Sequence, residues 1–355
     1  MKPGSGELTS NEVIVSNPKD IGRLFQKSKF GQTRSNNSLH LTLIESMFLI
    51  EEQKLNVYLE NKKIRFDEMV SHATKLDPSF EEKFVVFRDL RKRGIQVQTS
   101  KDPLFTFYCE KKDEETLEKL TYFIMVISER EIPSIFNLKK MIQHATDTKG
   151  LLRLAIVDEE GDITYYELEI VAPQGINHNH TYNPIKGILL SNRVVIFDEL
   201  TCDRLYKNEF FGKPFGDGLQ LSLVEALYLI KKEMLHCVLP SNNNVLSISS
   251  FTDHVAKYQQ DIFLRYPVFS DLRSKGLIVK TGFKFGTHFR AYQKSPFKSH
   301  AEYLIHTIDN TYETQWSEIS RAVRLAHAVN KFLLFALIEH EKITPTYLNI
   351  ARIRP

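Results

Sequence analysis

Residues 271–300 gather seven cations, Arg273, Lys275, Lys280, Lys284, Arg290, Lys294 and Lys298, against one acid, Asp271. Aromatic residues are interleaved with them. Clustered cations among aromatics suit a polyanion, because each phosphate neutralised releases counterions. Tyr292 and His300 lie in this stretch, and Arg324 and Lys331 lie just beyond it. Histidine titrates near neutrality, and lysine is a compact fixed charge. Proton transfer beside a bound anion is therefore chemistry that these residue types could perform. Singly, each has a plainer reading. A lysine run is often a solvated face, and a lysine before an apolar strand is often a helix C-terminal charge.

What lifts the group above that reading is an internal duplication. LTLIESMFLI (41–50) recurs as LSLVEALYLI (221–230), and FRDLRKRGI (87–95) recurs as FSDLRSKGL (269–277). Val13-Ile14-Val15 matches Val194-Val195-Ile196, and Phe30-Gly31 matches Phe211-Gly212. The offsets, 180 to 182, are nearly constant. The copies span about 1–172 and 186–355, joined by the Pro-, Gly-, Asn- and His-rich segment from Pro173 to Tyr182. In the first copy, residues 89–116 balance six cations with six acids. Tyr292 aligns with Tyr108 at an offset of 184, His300 with Thr116 or a neighbour, Arg324 with Gln143, and Lys331 with Gly150. Only the second copy keeps Tyr, His, Lys and Arg together, as a site and its degenerate twin would.

The elements that must position these residues follow from periodicity. Residues 221–232 and Phe263 to Lys275 read as helices, with Gly276 as a left-handed cap. Ile278–Thr281, Phe285–Tyr292 and Glu302–Thr307 read as strands. Trp316–Asn330 is an amphipathic helix, and Phe332–Glu339 and Thr344–Ile353 form a buried hairpin. This order predicts an α+β or mixed α/β fold. The composition agrees. Of 355 residues, 42% are apolar and 26% charged, which excludes collagen, coiled coil and wholesale disorder. The net charge of only +3 leaves polyanion binding to a local surface. Cys109, Cys202 and Cys237 form neither a disulfide framework nor a metal pair, which predicts a reducing cytoplasm. No apolar run approaches a membrane span, and the N-terminus lacks a secretory core.

GTHFRAY (286–292), HAEYLI (300–305) and RLAHAVNKFLLFALIE (324–339) resemble the catalytic motifs of the tRNA-splicing endonucleases. GILLSNRVVIFDELTCDRLYKNEFFGKPFGDGLQLSLVEALYLI (187–230) resembles that family's N-terminal region, and VDEEGDITYYELE (157–169) its acidic loop and closing hairpin. The tandem layout resembles the archaeal homodimeric type. The resemblance implies a small helical-plus-sheet N-terminal domain in each repeat, followed by a restriction-endonuclease-like α/β domain. The expected divisions are 1–94 and 95–172 for the structural repeat, 173–185 for the linker, and 186–276 and 277–355 for the catalytic repeat. Three features depart from the family pattern. The interval from Tyr292 to His300 is short, Asn330 stands where the family often has a basic residue, and the second acidic loop is reduced to Glu339-His340-Glu341.

The implied reaction is attack of an RNA 2′-hydroxyl on its own 3′-phosphate in precursor tRNA, at a bulge-helix-bulge. It leaves a 2′,3′-cyclic phosphate and a 5′-hydroxyl. The resemblance implies Tyr292 as base, His300 as acid and Lys331 as the charge beside phosphorus. A phenol of ordinary pKa about 10 is a weak base at neutral pH unless cations lie beside it, and Lys331 and Arg290 are the candidates. Arg324, seven residues before Lys331 on the same helical face, would clamp a splayed base with Arg352, or with Arg354 in its place. Asp158, Glu159 and Glu160 would insert into a basic pocket of a second copy, making a homodimer. No small-molecule cofactor or membrane is implied. No metal is needed to generate hydroxide, and the sequence offers no HExxH, no CxxC pair and no acidic cluster beside the basic patch. A non-catalytic RNA-binding subunit and a metal-dependent DNA nuclease are the competing readings.

Overall fold

The computed structural model describes residues 2–34, 37–112, 119–132, 134–177, 180–339 and 342–355. Each repeat opens with a small sheet. In the first, the strand order is Gln32–Thr33, Leu39–Thr42, Glu12–Val15, Gly4–Leu8, Leu55–Leu59, Lys62–Lys63. In the second it is Lys213–Phe215, Gly218–Ser222, Arg193–Ile196, Ile185–Leu189, Leu235–Val238. The most similar sequence block of the two copies is the helix that follows, Leu43–Glu51 or Leu223–Lys231. Thr42 and Ser222 begin these helices with capping boxes closed by Glu45 and Glu225. Both glutamates are buried, and each also accepts the amide of a glycine, Gly31 at 2.8 Å or Gly212 at 3.0 Å. A buried carboxylate needs such partners, so the Leu-x-Leu-x-Glu pattern is fixed by the fold. The helices read as nearly continuous apolar runs because they are covered almost all round.

The second halves of the repeats merge into one ten-stranded sheet. Its order is Ile278–Thr281, Phe289–Tyr292, Tyr303–Asp309, Phe332–Glu339, Lys342–Ile353, then Ile163–Val171, Gly150–Val157, Lys119–Ser128, Phe107–Lys112, Gln98–Thr99. At the joint, Tyr165–Val171 pairs antiparallel with Ile353–Tyr347. On one face, helices Ile135–Asp147 and Trp316–Ala328 cover a core shared by both repeats, with Tyr166 stacked on Trp316. On the other face each half packs against its own N-terminal unit. The fold is mixed α/β and duplicated. The same buried-phenol bond recurs in both halves: Tyr165 Oη donates to Asp89 and Tyr347 Oη to Asp271, each at 2.7 Å.

Sheet register corrects one correspondence. Gln98 lies opposite Tyr108, and Lys280 lies opposite Arg290. Cys109 and Ala291 face Tyr122 and Tyr303, which in turn face Leu151 and Phe332. Tyr108 therefore occupies the place of Arg290, and the counterpart of Tyr292 is Glu110. Gly150 does correspond to Lys331, each preceding the residue that faces Tyr122 or Tyr303. A two-residue slip keeps every side chain on the same face, so alternation alone could not expose it. A second difference concerns Phe285–Tyr292. Only Phe289–Tyr292 is strand, because Phe283–Phe285 forms a 3-10 turn closed by Gly286 at φ +67°.

Among the described residues the joining segment has no regular element, yet it is bound. Gly175 and Asn177 donate backbone bonds to Lys275 and Gly276 at 3.0 and 2.9 Å, and Ile176 donates to Gln293 at 3.1 Å. Gly276 takes φ +77° at the expected left-handed cap, and Gly94 takes φ +84° in the first copy. A Cβ on Gly94 would meet open space, whereas on Gly276 it would lie 2.8 Å from the Gly175 carbonyl and 2.9 Å from that of Asn177. Gly94→Ala should cost about 1–2 kcal/mol for its backbone conformation. Gly276→Ala should cost a further ~1–3 kcal/mol for overpacking, seen as a lower urea midpoint. Equal midpoints for the two variants would contradict the packing of this segment.

Candidate active site

Three adjacent strand ends carry Tyr292, His300 and Lys331, and Glu302 ties them together. The Glu302 amide donates to the Ala291 carbonyl at 3.1 Å, and its own carbonyl accepts the Phe332 amide at 2.9 Å. Its carboxylate Oε2 accepts the Gln293 amide at 2.8 Å. Glu302 thus bonds to the residues just before and after Tyr292 and to the residue after Lys331. Sequence reading missed it. The available signal was a charged residue at the start of a predicted apolar strand, two positions after His300.

Tyr292 is buried against Ile278 and Ala301, with Phe210 packed beside them. The Arg290 guanidinium lies 5.7 Å from its ring centroid. Arg290 Nε is buried without a hydrogen-bond partner among the described residues. Lys331 is half-buried. Its Nζ donates to the Val329 carbonyl at 3.3 Å and sits 5.9 Å from the Phe285 ring. His300 is exposed, at the end of a compact loop. Within that loop, Ser299 Oγ and the amides of Lys298 and Ser299 all donate to the Ser295 carbonyl at 3.0 Å. Phe297 then anchors the loop on the N-terminal unit, 5.3 Å from Tyr206 and 5.6 Å from Phe210 between ring centroids.

Two histidines on the neighbouring strands are less available. Burial, and secondarily His288, lowers the pKa of His306 to about 4. Its ring stacks on Phe335. His288 is also lowered, first by burial and then by Arg265, and its Nδ1 accepts the Thr307 amide at 3.0 Å.

The helix bearing Arg324 does not continue to Lys331. It ends at Ala328, and Asn330 turns the chain at φ +52°. The expectation that seven residues place Arg324 and Lys331 on one helical face is therefore corrected. Asn330 is suited to that left-handed turn, and Lys149 takes φ +57° at the same place in the first copy. Arg324 is exposed, with Nε 3.4 Å from the Ser320 carbonyl. Arg352 instead joins Lys331, Asn330, His327 and Asn349 around a cleft of about 310 Å³. Arg354 is exposed.

The twin is closed where the second copy is open. Pairing in the second copy stops at Ala291 opposite Tyr303, and the chain leaves for the His300 loop. In the first copy it continues through Glu110, Lys111 and Lys112 opposite Thr121, Leu120 and Lys119. Glu110 and Lys119 form an ion pair at 3.1 Å. Thr116 lies outside the described residues, as do His340 and Glu341 of the reduced acidic loop.

In the first repeat's acidic turn, Asp158 Oδ1 accepts the amides of Glu160 and Asp162 at 3.0 and 2.9 Å, and Gly161 takes φ +82°. Glu159 pairs with Arg130 at 2.8 Å, both well exposed. Among the described residues no three His, Cys, Asp or Glu side chains gather as a metal site.

Two family descriptions match the chain, each twice. "tRNA intron endonuclease, N-terminal domain" covers residues 4–70 and 185–252. "tRNA intron endonuclease, catalytic C-terminal domain" covers 80–165 and 262–345. A tRNA-splicing endonuclease of Methanococcoides burtonii is 35% identical over 98% of this chain and 99% of its own length. One from Methanosarcina acetivorans is 33% identical over 96% and 97%. A shorter tRNA-splicing endonuclease, from Hyperthermus butylicus, is 32% identical and matches 48% of this chain along 99% of its own length. One repeat-sized protein thus aligns with about half of the chain.

The aromatic anchor gives a test independent of activity. Each aromatic contact contributes about 0.5–1.5 kcal/mol. Phe297→Ala should speed amide exchange across 294–301 roughly tenfold, while exchange in Phe332–Glu339 stays unchanged. Unaltered loop exchange would show that Phe297 does not hold the loop.

Proposed function

Since the chain belongs to the tRNA intron endonuclease family, and is by that membership an endonuclease of tRNA splicing, we propose that its second repeat alone cuts. The substrate is precursor tRNA at a bulge-helix-bulge, and the cut is independent of metal. The observation that carries this reading is the row tied by Glu302, whose counterparts in the first repeat are Glu110 for Tyr292 and Gly150 for Lys331.

The chemistry follows from the three side chains. Tyr292, as phenolate, accepts the proton of the 2′-hydroxyl, and the 2′-oxygen bonds to the adjacent phosphorus. The bond from phosphorus to the 5′-oxygen breaks, and imidazolium His300 supplies the proton that this oxygen takes. Lys331 faces the non-bridging oxygens as negative charge grows on them. The products are a 2′,3′-cyclic phosphate and a 5′-hydroxyl. The nucleophile belongs to the RNA, so the reaction itself needs no metal-bound hydroxide. Arg290 stands beside Tyr292, and Arg352 beside Lys331. Both favour an anionic substrate. Arg324 is assigned to a splayed base.

In this reading, 1–94 and 95–172 are structural, 173–185 links, and 186–276 and 277–355 make the cutting repeat. Two chains form a homodimer through Asp158, Glu159 and Glu160. Support comes from the exposed, preorganised turn, in which only Glu159 has a cation partner among the described residues. The unpaired cysteines support a cytoplasmic setting. Among the described residues no helix is long and apolar enough to cross a membrane.

A prefolded bulge-helix-bulge RNA should be cut in excess EDTA, with cyclic phosphate at the 3′ end. His300→Ala and Lys331→Ala should each slow single-turnover cleavage by roughly 10² or more. Glu110→Gln should leave the rate within about twofold. Cleavage that requires a divalent ion at constant RNA structure would remove the metal-free mechanism, equal losses at Glu110 and His300 the assignment of repeats, and a sedimenting mass of one chain the dimer.

A further inference from the structure

Between the second repeat's N-terminal unit and its half of the large sheet lies a cleft of about 600 Å³, and Tyr292 lines it. The cations on its wall are Arg193, Lys213, Arg265, Lys280 and Arg290, with Tyr206, Phe210 and Phe297 among them. Two of the cations are committed within the chain. Lys280 pairs with buried Glu225 at 3.1 Å, and Arg265 pairs with Asp261. Arg193, Lys213 and Arg290 form no ion pair among the described residues. Arg193 holds only neutral oxygens, Gln220 Oε1 at 2.7 Å and Asn192 Oδ1 at 3.1 Å.

The duplication supplies the comparison. Arg193 lies opposite the N-cap Ser222, and the same place opposite Thr42 is Glu12. Lys213 lies opposite Gln220, and the same place opposite His40 is Gln32. By the register already described, Lys280 and Arg290 become Gln98 and Tyr108. At these four places the cutting repeat presents cations and its twin an acid and three neutral residues, whereas Arg265 corresponds to Lys83 and Phe210 to Lys29. Conserved folding requirements would act on both copies alike.

We propose that this cleft binds a single-stranded phosphodiester flank of the RNA being cut. Arg193 and Lys213 neutralise phosphates, and Tyr206 and Phe297 offer faces on which bases stack. The volume lies in the range of ordinary ligand sites. The proposal rests on the RNA-cleavage reading above and extends it. It gives the N-terminal unit a share in substrate binding as well as in holding the His300 loop.

The test gives Arg193 and Lys213 the residues of their twins, in the double variant Arg193→Glu, Lys213→Gln. Both replacements already occur at equivalent places in this fold. Single-turnover cleavage of a bulged RNA with flanking nucleotides should show KM raised about tenfold, with the rate at saturation unchanged. Each single-strand phosphate contact contributes ~0.7 to the slope of log affinity on log salt, so the slope should fall by about 1.4. The reciprocal variant Gln32→Lys in the first repeat should change neither. An RNA trimmed of its flank should bind the wild type and the double variant alike. If the double variant fails to fold, Lys213→Gln alone, on an exposed strand, should show half the slope change. Unchanged KM and salt slope with active wild type would overturn the cleft while leaving the cleavage reading intact. If the wild type cuts no RNA, the cleavage reading fails. Anisotropy of a labelled single-stranded RNA with the same two proteins then judges the cleft, and equal affinities overturn it.

Discussion

The antiparallel pairing of Tyr165–Val171 with Tyr347–Ile353 is the interaction on which the rest of the structure depends. It joins two half-sheets that would each present a bare edge strand, and it buries one core beneath both covering helices. An unpaired row of backbone donors and acceptors is a liability, and here each repeat closes the edge of the other. Asn349 reinforces the joint by donating to Glu169 at 2.8 Å. Lys139 of the first repeat is buried and pairs with Glu339 of the second. Breaking such a pair one-sidedly leaves an uncompensated buried charge, so the two halves are held in one relative position.

That constraint lets the two copies diverge at one end without either losing its place. The joint strands, the covering helices and the buried phenol-to-carboxylate bonds recur in both halves. The copies diverge at the outer strand ends. In the first, the hairpin zips further and an ion pair of Glu110 with Lys119 occupies the end. In the second, pairing stops, a loop opens, and adjacent strand ends carry a histidine, a phenol and an ammonium.

Much of this was legible in the residues. Duplicated Leu-x-Leu-x-Glu blocks are capping boxes, whose partners lie three residues apart and are visible in sequence. Gly276 follows a basic helical end as a left-handed cap should. Three things were not legible. The slip that matched Tyr292 to Tyr108 preserves side-chain parity, and only cross-strand pairing distinguishes the two registers. Arg324 and Lys331 appeared to share a helical face because helical spacing assumes that the helix continues, whereas Asn330 turns it away. Glu302 acts mainly through its backbone and through an amide nine residues distant, which no local motif records.

In the proposed function, Glu302 aligns the ends carrying Tyr292, His300 and Lys331 into a working row. The most direct measurement is single-turnover cleavage at saturating RNA by Glu302→Ala, with RNA affinity measured in parallel and Glu302→Gln as the conservative comparison. Losing a hydrogen bond to a charged acceptor removes about 1.5–3 kcal/mol of ordering, and small misplacements of reacting groups are costly. The alanine variant should cut at least about tenfold more slowly with affinity unchanged, and glutamine should restore most of the rate. An alanine variant that cuts at the wild-type rate, or one that loses affinity instead of rate, would contradict the account.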